Sequence, residues 1–286
     1  MQIPYDRRLP QTQFTKREVF EIAKDPSNNP YDGGLHYPAP LSDALAKLGT
    51  LTLSNGARYE FTDANRLRYY ERTAWQHSYY ECYEAAQGIY FMFYMHDMTL
   101  PPPKMTAMCI DLNTNRVTVN NAQVGNDDYT PRDTSCSLSF AEIVGRGTVT
   151  GEPHAFTDDF VGKVAAWHVG EFWLTHHYIN PRFFLNEIVG FGPDSLYLTI
   201  AEPAQYVKIA ENIYVFVWRE MAGPGIMGMD VMDIGKMTSV GMFYGISEVD
   251  RLECYAFTRS AGKWLTVEDR KLLHREGIGS VVKDLP

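Results

Sequence analysis

Glu220 ends a run, Ile213 to Met221, in which Tyr214, Phe216, Trp218 and Glu220 alternate with Ile213, Val215, Val217 and Arg219. A period of two among aromatic and β-branched residues predicts a strand with the first four on one face. The other face is also largely apolar, so the strand is expected to be buried on both sides. A carboxylate at the end of an aromatic stripe is costly to bury unless it is paired, hydrogen-bonded or protonated. In a cavity lined by Tyr214, Phe216 and Trp218 its proton affinity rises. That suits a general acid or base that protonates a carbon, opens a conjugated system or drives an elimination. A structural glutamate paired with an arginine at a barrel mouth would read the same way, and the run alone leaves both open.

His176, Tyr178 and Asn180 alternate along another stretch and can point into the same cavity, His176 and Tyr178 to position or polarise a substrate and Asn180 to hydrogen-bond it. The opposite parity, with Trp173, Thr175, His177 and Ile179 inward, is the alternative. Trp167 and His168 compete for the cavity from a neighbouring strand. A weaker copy of the aromatic run, Ile89 to Asp97, sets Tyr94 against Trp218 and His96 against Glu220. With Arg68 and Tyr70 on a nearby alternating segment, His96 and Tyr94 define a possible second cavity; a polar outer barrel face is the alternative. No metal is expected: His176 and His177 are adjacent on a strand and point to opposite faces, so they cannot readily share one ion with Glu220. Cys82, Cys109, Cys136 and Cys254 are widely spaced and suit buried reduced thiols. His36, His154 and His274 have no supporting pattern and are read as surface residues. Gly-rich nucleotide signatures are absent, and no cofactor is expected.

The elements that would position these residues are β-strands. Asn55-Gly56 marks a hairpin turn, and strand-like runs recur at intervals of about 10 residues, the pattern of an antiparallel meander closed into a barrel. Ile110-Asp111-Leu112 answers Met232-Asp233-Ile234 at nearly the same distance from its aromatic strand, so two registers repeat in order. The expected architecture is all-β: an N-terminal arm (1–40), a first barrel (41–125), a linker (126–158) and a second barrel with a C-terminal helix (159–286). Thr266 is the expected N-cap of that helix, with Asp269 three residues on. The Met-rich stretch around Met227, Met229, Met232 and Met237 suits adaptable packing.

Three stretches resemble the MoaF family: His154 to Asn180; Tyr206 to Glu220 (Tyr-Val-Lys-Ile-Ala-Glu-Asn-Ile-Tyr-Val-Phe-Val-Trp-Arg-Glu); and Met232 to Gly241. A looser match covers Leu51 to Val119. The resemblance implies tandem lipocalin-like (calycin) antiparallel β-barrels. More distantly, Val207 to Glu211 leading into Tyr214, Trp218 and Glu220 resembles the phenolic acid decarboxylases, and Glu220 falls where that family keeps its catalytic glutamate. That family's paired tyrosines fall near Trp167 and Val169 here, and its arginine has no secure match.

With 286 residues, 45% of them hydrophobic, the chain has ample material for two cores. A net charge of −9 with scattered basic residues gives no footprint for nucleic acid or an anionic membrane. No run approaches the roughly 18 to 20 apolar residues of a membrane span, and none near the start has signal-peptide character, so a cytoplasmic protein is expected. The arm is suited to packing on a second subunit, making a homodimer one expectation. The expected function is a cofactor-independent lyase, isomerase or cyclase acting on a small conjugated or aromatic metabolite; the alternative is a metabolite-binding or carrier protein without chemistry.

Overall fold

Short returns between consecutive strands give two antiparallel sheets in a computed structural model that describes residues 40–71, 73–96, 103–125, 134–169, 172–189, 198–221, 225–246 and 252–285. The expected arm, but for residue 40, lies outside the described residues. A short helix α1 (Ala44–Leu48) leads into β1 (Thr50–Thr52), β2 (Arg58–Phe61), β3 (Arg66–Glu71), β4 (Ala74–Ala86), β5 (Ile89–Met95), β6 (Lys104–Asp111), β7 (Arg116–Val124) and β8 (Thr134–Glu142). Each strand pairs with the next, and a bridge between Leu53 and Ile143 joins the first strand to the last. Thr134–Glu142 falls inside the expected linker, yet it pairs along the whole of β7 and belongs to the first sheet. Its serine-rich sequence hides it because much of one face is polar and exposed.

The second sheet comprises β10 (Val164–Val169), β11 (Phe172–Asn180), β12 (Phe183–Val189), β13 (Leu198–Ala210), β14 (Ile213–Arg219), β15 (Ile226–Asp233), β16 (Thr238–Ile246), β17 (Leu252–Arg259) and β18 (Ala261–Trp264). The last two are separated by Ser260 alone, and β18 pairs back onto β10, which brings the sheet round on itself. A two-residue strand β9 (Ala155–Phe156) pairs on β13. Two helices follow, α2 (Val267–Glu276) and α3 (Ile278–Val282), and the first is closed by the expected reciprocal Thr266 and Asp269 capping box. They cover the outer face of β10 and β11, where Leu273, Ile278 and Val281 meet Val164, Ala166 and Trp173. Among the described residues no helix is long and apolar enough to cross a membrane.

The repeat read in the sequence is exact in backbone detail. His96 N–H donates to Lys104 O and Glu220 N–H to Ile226 O, both at 2.9 Å. The Asp111 carboxylate accepts from Asn113 and Thr114 N–H, and Asp233 accepts from Gly235 and Lys236 N–H. Register shifts fall at Glu84/Ala86 in one barrel and at Lys208/Ala210 in the other.

Apolar residues on both faces of β14 have two separate destinations. Val215 and Val217 pack, with Met229, Val231 and Met242, against Phe91, Phe93, Met105 and Ala107 of the first barrel. The barrels therefore join through outer faces, and each buried side chain of this kind contributes about 1.5–3 kcal/mol. Met227 and Met229 lie in this shared core and Met232 in the second interior, in keeping with a packing role. The four cysteines are free thiols, three fully buried. His154 is a correction: it is buried, with Nδ1 2.9 Å from Thr118 Oγ1, and burial lowers its pKa to about 4. Its place under β7 depends on a contact distant in sequence, which local pattern cannot show.

Candidate functional site

The ladder between β13 and β14 sets Ala204 opposite Trp218, so one step further along the same face Glu202 meets Glu220. Glu202 is fully buried, and its Oε1 accepts the Met221 N–H at 3.2 Å. Burial, and then the Glu220 charge beside it, push the Glu202 carboxyl up to about 10, against weaker opposition from Met221 N–H and the Asn186 amide. Two carboxyls this close do not both ionise in a desolvated setting. Glu202 is therefore the neutral acid at neutral pH and half-buried Glu220 the exposed partner, its Oε1 accepting the Trp218 Nε1–H at 2.6 Å. Trp218 lies flat over Gly228, where any Cβ would overlap its ring. A glycine opposite the tryptophan is thus what lets the indole lie against the barrel wall and aim its N–H at Glu220.

Deeper in the same interior, Arg259 and Asp230 form a fully buried ion pair. The guanidinium lies 5.3 Å from the Trp218 ring, 5.4 Å from Trp167, 5.5 Å from Phe257 and 6.0 Å from Phe216. Four aromatic faces around one cation stabilise it where water cannot. Burial raises the Asp230 pKa to about 6 despite Arg259. His176 is also buried here; burial, followed by the Arg259 charge, holds its pKa well below 6.5, so the imidazole is neutral. Tyr178 accepts the Trp167 Nε1–H at 3.2 Å. His176 Nδ1, Asp230 Oδ1, Arg259 Nε and Glu202 Oε2 are buried without a hydrogen bond. Four such atoms facing one barrel interior are more than a packed core ordinarily tolerates.

His176 and Tyr178 point inward, as the first parity has it, with Trp167, Phe216 and Trp218. They belong to the layer around Arg259, while the group beside Glu220 is Glu202. Tyr214 is an inner residue at the far end of its strand, where its hydroxyl donates to Asp159 at 2.8 Å. Asn180 is drawn out of the alternation by a register shift after Tyr178, and its Oδ1 accepts Arg182 N–H at 2.8 Å in the following turn. His168 lies outside the interior, stacked on Trp173 with ring centroids 4.8 Å apart. His177 turns outward to Glu187, 3.5 Å away. Among the described residues no cluster of His, Cys, Asp and Glu is arranged to hold a metal.

Glu202, Asp230 and Arg259 were not singled out by sequence. Glu202 precedes Pro203, which divides β13 into two apparent runs, although it shares parity with Ala204 and Tyr206. Proline fits there because β12 pairs with Leu198–Pro203 and β14 takes over only from Ala204, leaving Pro203 without a ladder partner on the β14 side.

In the first barrel, His96 stacks on Tyr94 with centroids 5.1 Å apart, and both face the interior end. Arg68 and Tyr70 do not join them: they lie on the outer face, Arg68 paired with Glu60 and both packed on Trp75. Inner residues Leu67 and Tyr69 alternate with them, so strand parity separates the proposed four.

The fold and site define a tandem β-barrel protein whose second interior carries a carboxyl pair and a buried ion pair. Residues 154–268, which span most of the second barrel, match the family model of the MoaF C-terminal domain, and the resemblance to the MoaF family read in the sequence is borne out. A Burkholderia vietnamiensis protein provisionally named a beta-lactamase is similar in structure at 16% identity, covering 41% of this chain and 100% of its own, with a TM-score of 0.30. At that score it carries no argument about this chain. No curated protein matches the chain.

Proposed function

We propose that the second barrel is a cofactor-independent acid/base enzyme of the lyase or isomerase type, working on a small conjugated or aromatic metabolite. The observation that carries this reading is the Glu202 and Glu220 pair, in which burial and the neighbouring Glu220 charge raise the proton affinity of Glu202. A neutral acid beside a carboxylate at one end of an aromatic interior supplies both halves of a proton transfer. Glu220 takes a proton from substrate carbon as its C–H bond breaks, and Glu202 gives its proton to the far end of the conjugated system as a new bond to hydrogen forms. A proton passed from Glu220 to Glu202 restores the pair, so the isomerisation consumes nothing. Trp218 serves as the stacking surface and, through its indole N–H, holds Glu220 in place. His176 and Tyr178 act as positioning residues through the Arg259 layer.

The test is a thermal-shift screen of phenolic acids, polyenes and other small conjugated compounds on the wild type and on Glu220→Gln, with product analysis of every hit. Binding by both with turnover by the wild type alone supports the assignment. Equal binding with no turnover in either makes the barrel a metabolite carrier.

A further inference from the structure

The interior end of the first barrel holds a cavity of about 410 Å³, a volume suited to a small metabolite. Its polar lining comes from inward positions of adjacent strands: Lys104 lies opposite Gln123 and Gln123 opposite Ser135, while Asn121 lies opposite Ser137 and, on its other side, pairs with Thr106 behind the lining. Glu71 and His96 complete it.

The hydrogen bonds fix the state of His96. The Thr106 hydroxyl donates to Asn121 Oδ1 at 2.8 Å, so it accepts from His96 Nε2–H, also at 2.8 Å. That leaves Nδ1 as a bare lone pair, buried without a hydrogen bond and 3.5 Å from Glu71 Oε2. Burial lowers the His96 pKa, outweighing the pull of Glu71, so both groups are acceptors. Two acceptors converging on one point call for a ligand with several N–H donors. Beside them Lys104, the cross-strand neighbour of His96, presents an ammonium, and Gln123 and the Asn121 amide nitrogen present further donors, because Asn121 has already committed its oxygen to Thr106. Among the described residues Glu71 and Lys104 make no ion pair with each other, so the lining offers a ligand both an acidic and a basic side chain.

We propose that the mouth of the first barrel is a second binding site, selective for a small zwitterion of the amino-acid type, with the ammonium between His96 and Glu71 and the carboxylate toward Lys104. One acidic and one basic side chain in the same lining, rather than neutral groups alone, distinguish this ligand from a neutral polyol. The site is independent of the carboxyl pair in the second barrel.

The experiment is a titration of the full chain followed by NMR at the His96 ring and the Asn121 side-chain amide, using the common amino acids at up to about 10 mM. The expected result is that at least one moves both sets of signals. Its N-acetyl and methyl ester forms, which each lack one charge, should bind about tenfold or more weakly. Glu71→Gln and Lys104→Gln should each weaken the same ligand. The proposal is overturned if no amino acid moves the His96 signals, if glucose or erythritol moves them equally, or if the charge-capped forms bind as well. Titration of free His96 as an imidazolium above pH 7 would overturn it too, and needs no variant.

Discussion

Built on one backbone plan, the two barrels differ at matching inward positions. Counting from the paired Asp111 and Asp233 turns, Asp230 occupies the place of Met108, and the ladders set Arg259 where the first barrel has Ala141. Glu202 and Glu220 likewise answer Ser78 and His96. The first interior is a packed core of Tyr59, Tyr69, Tyr80, Met92, Met108 and Ile110 with its polar groups confined to one end. In the second, an ion pair, a neutral histidine and the protonated Glu202 are buried among aromatics, with half-buried Glu220 beside Glu202. The same barrel thus works with an apolar lining, so the charges in the second are not what the architecture requires. Buried charge of this kind is weak evidence for stability and better evidence for a site.

The comparison breaks most visibly at Arg259. Replacing it with Met leaves Asp230 buried and unpaired and is expected to cost about 3–5 kcal/mol in urea unfolding. A double substitution, Asp230→Met with Arg259→Leu, imitates the apolar first barrel and should lose less than the single change. An equal or greater loss in the double variant would show that the barrels are not interchangeable in this respect.

Gly228→Ala should cost about 1–3 kcal/mol, because the new Cβ occupies the space of the Trp218 ring. The displaced indole loses its hold on Glu220, so a shift in tryptophan emission should accompany any loss of turnover. At the matching place the first barrel carries Thr106 opposite Tyr94, a smaller ring that leaves room for a side chain.

The pH dependence sharpens the contrast. Glu202 keeps its proton in the folded state up to about 10, whereas an unfolded glutamate releases it near 4.5. Its contribution to stability is complete below the unfolded value and is lost as pH rises through that window, because the folded state must hold a proton the unfolded chain has released. Glu202→Gln should flatten this slope and stabilise the protein at neutral pH by at least about 1 kcal/mol. Urea midpoints measured across the window check both. The smallest effect is expected from Tyr214→Phe, which removes a half-exposed hydrogen bond to Asp159 at the opposite end of the barrel and should change stability by about 1 kcal/mol or less, with turnover retained.

The aromatic run, its weaker copy, the paired aspartate turns and the capped terminal helix were all legible, because each is a local pattern. The inward facing of His176 and Tyr178 was one of two parities, and only the cross-strand register to Ala165 and Phe184 decides it. Asn180 and Tyr214 went to other tasks because a register shift and the length of β14 carry them away from Glu220. Glu202 was hidden by Pro203. Arg259 stands one residue beyond the Glu253 to Thr258 run read as a strand, and Asp230 sits within a methionine-rich stretch that reads as packing. Nothing local signals that these two meet across β16.

The protonation of the carboxyl pair is read most directly by a carboxyl NMR titration of the protein labelled with carbon-13 at the glutamate side chains, with Glu202→Gln and Glu220→Gln as assignments. Glu202 is expected to be protonated at neutral pH, to titrate far above the ordinary glutamate range, and to move back toward that range when Glu220 is made neutral. Finding both carboxyls ionised at neutral pH, or a Glu202 titration indifferent to Glu220, would contradict it.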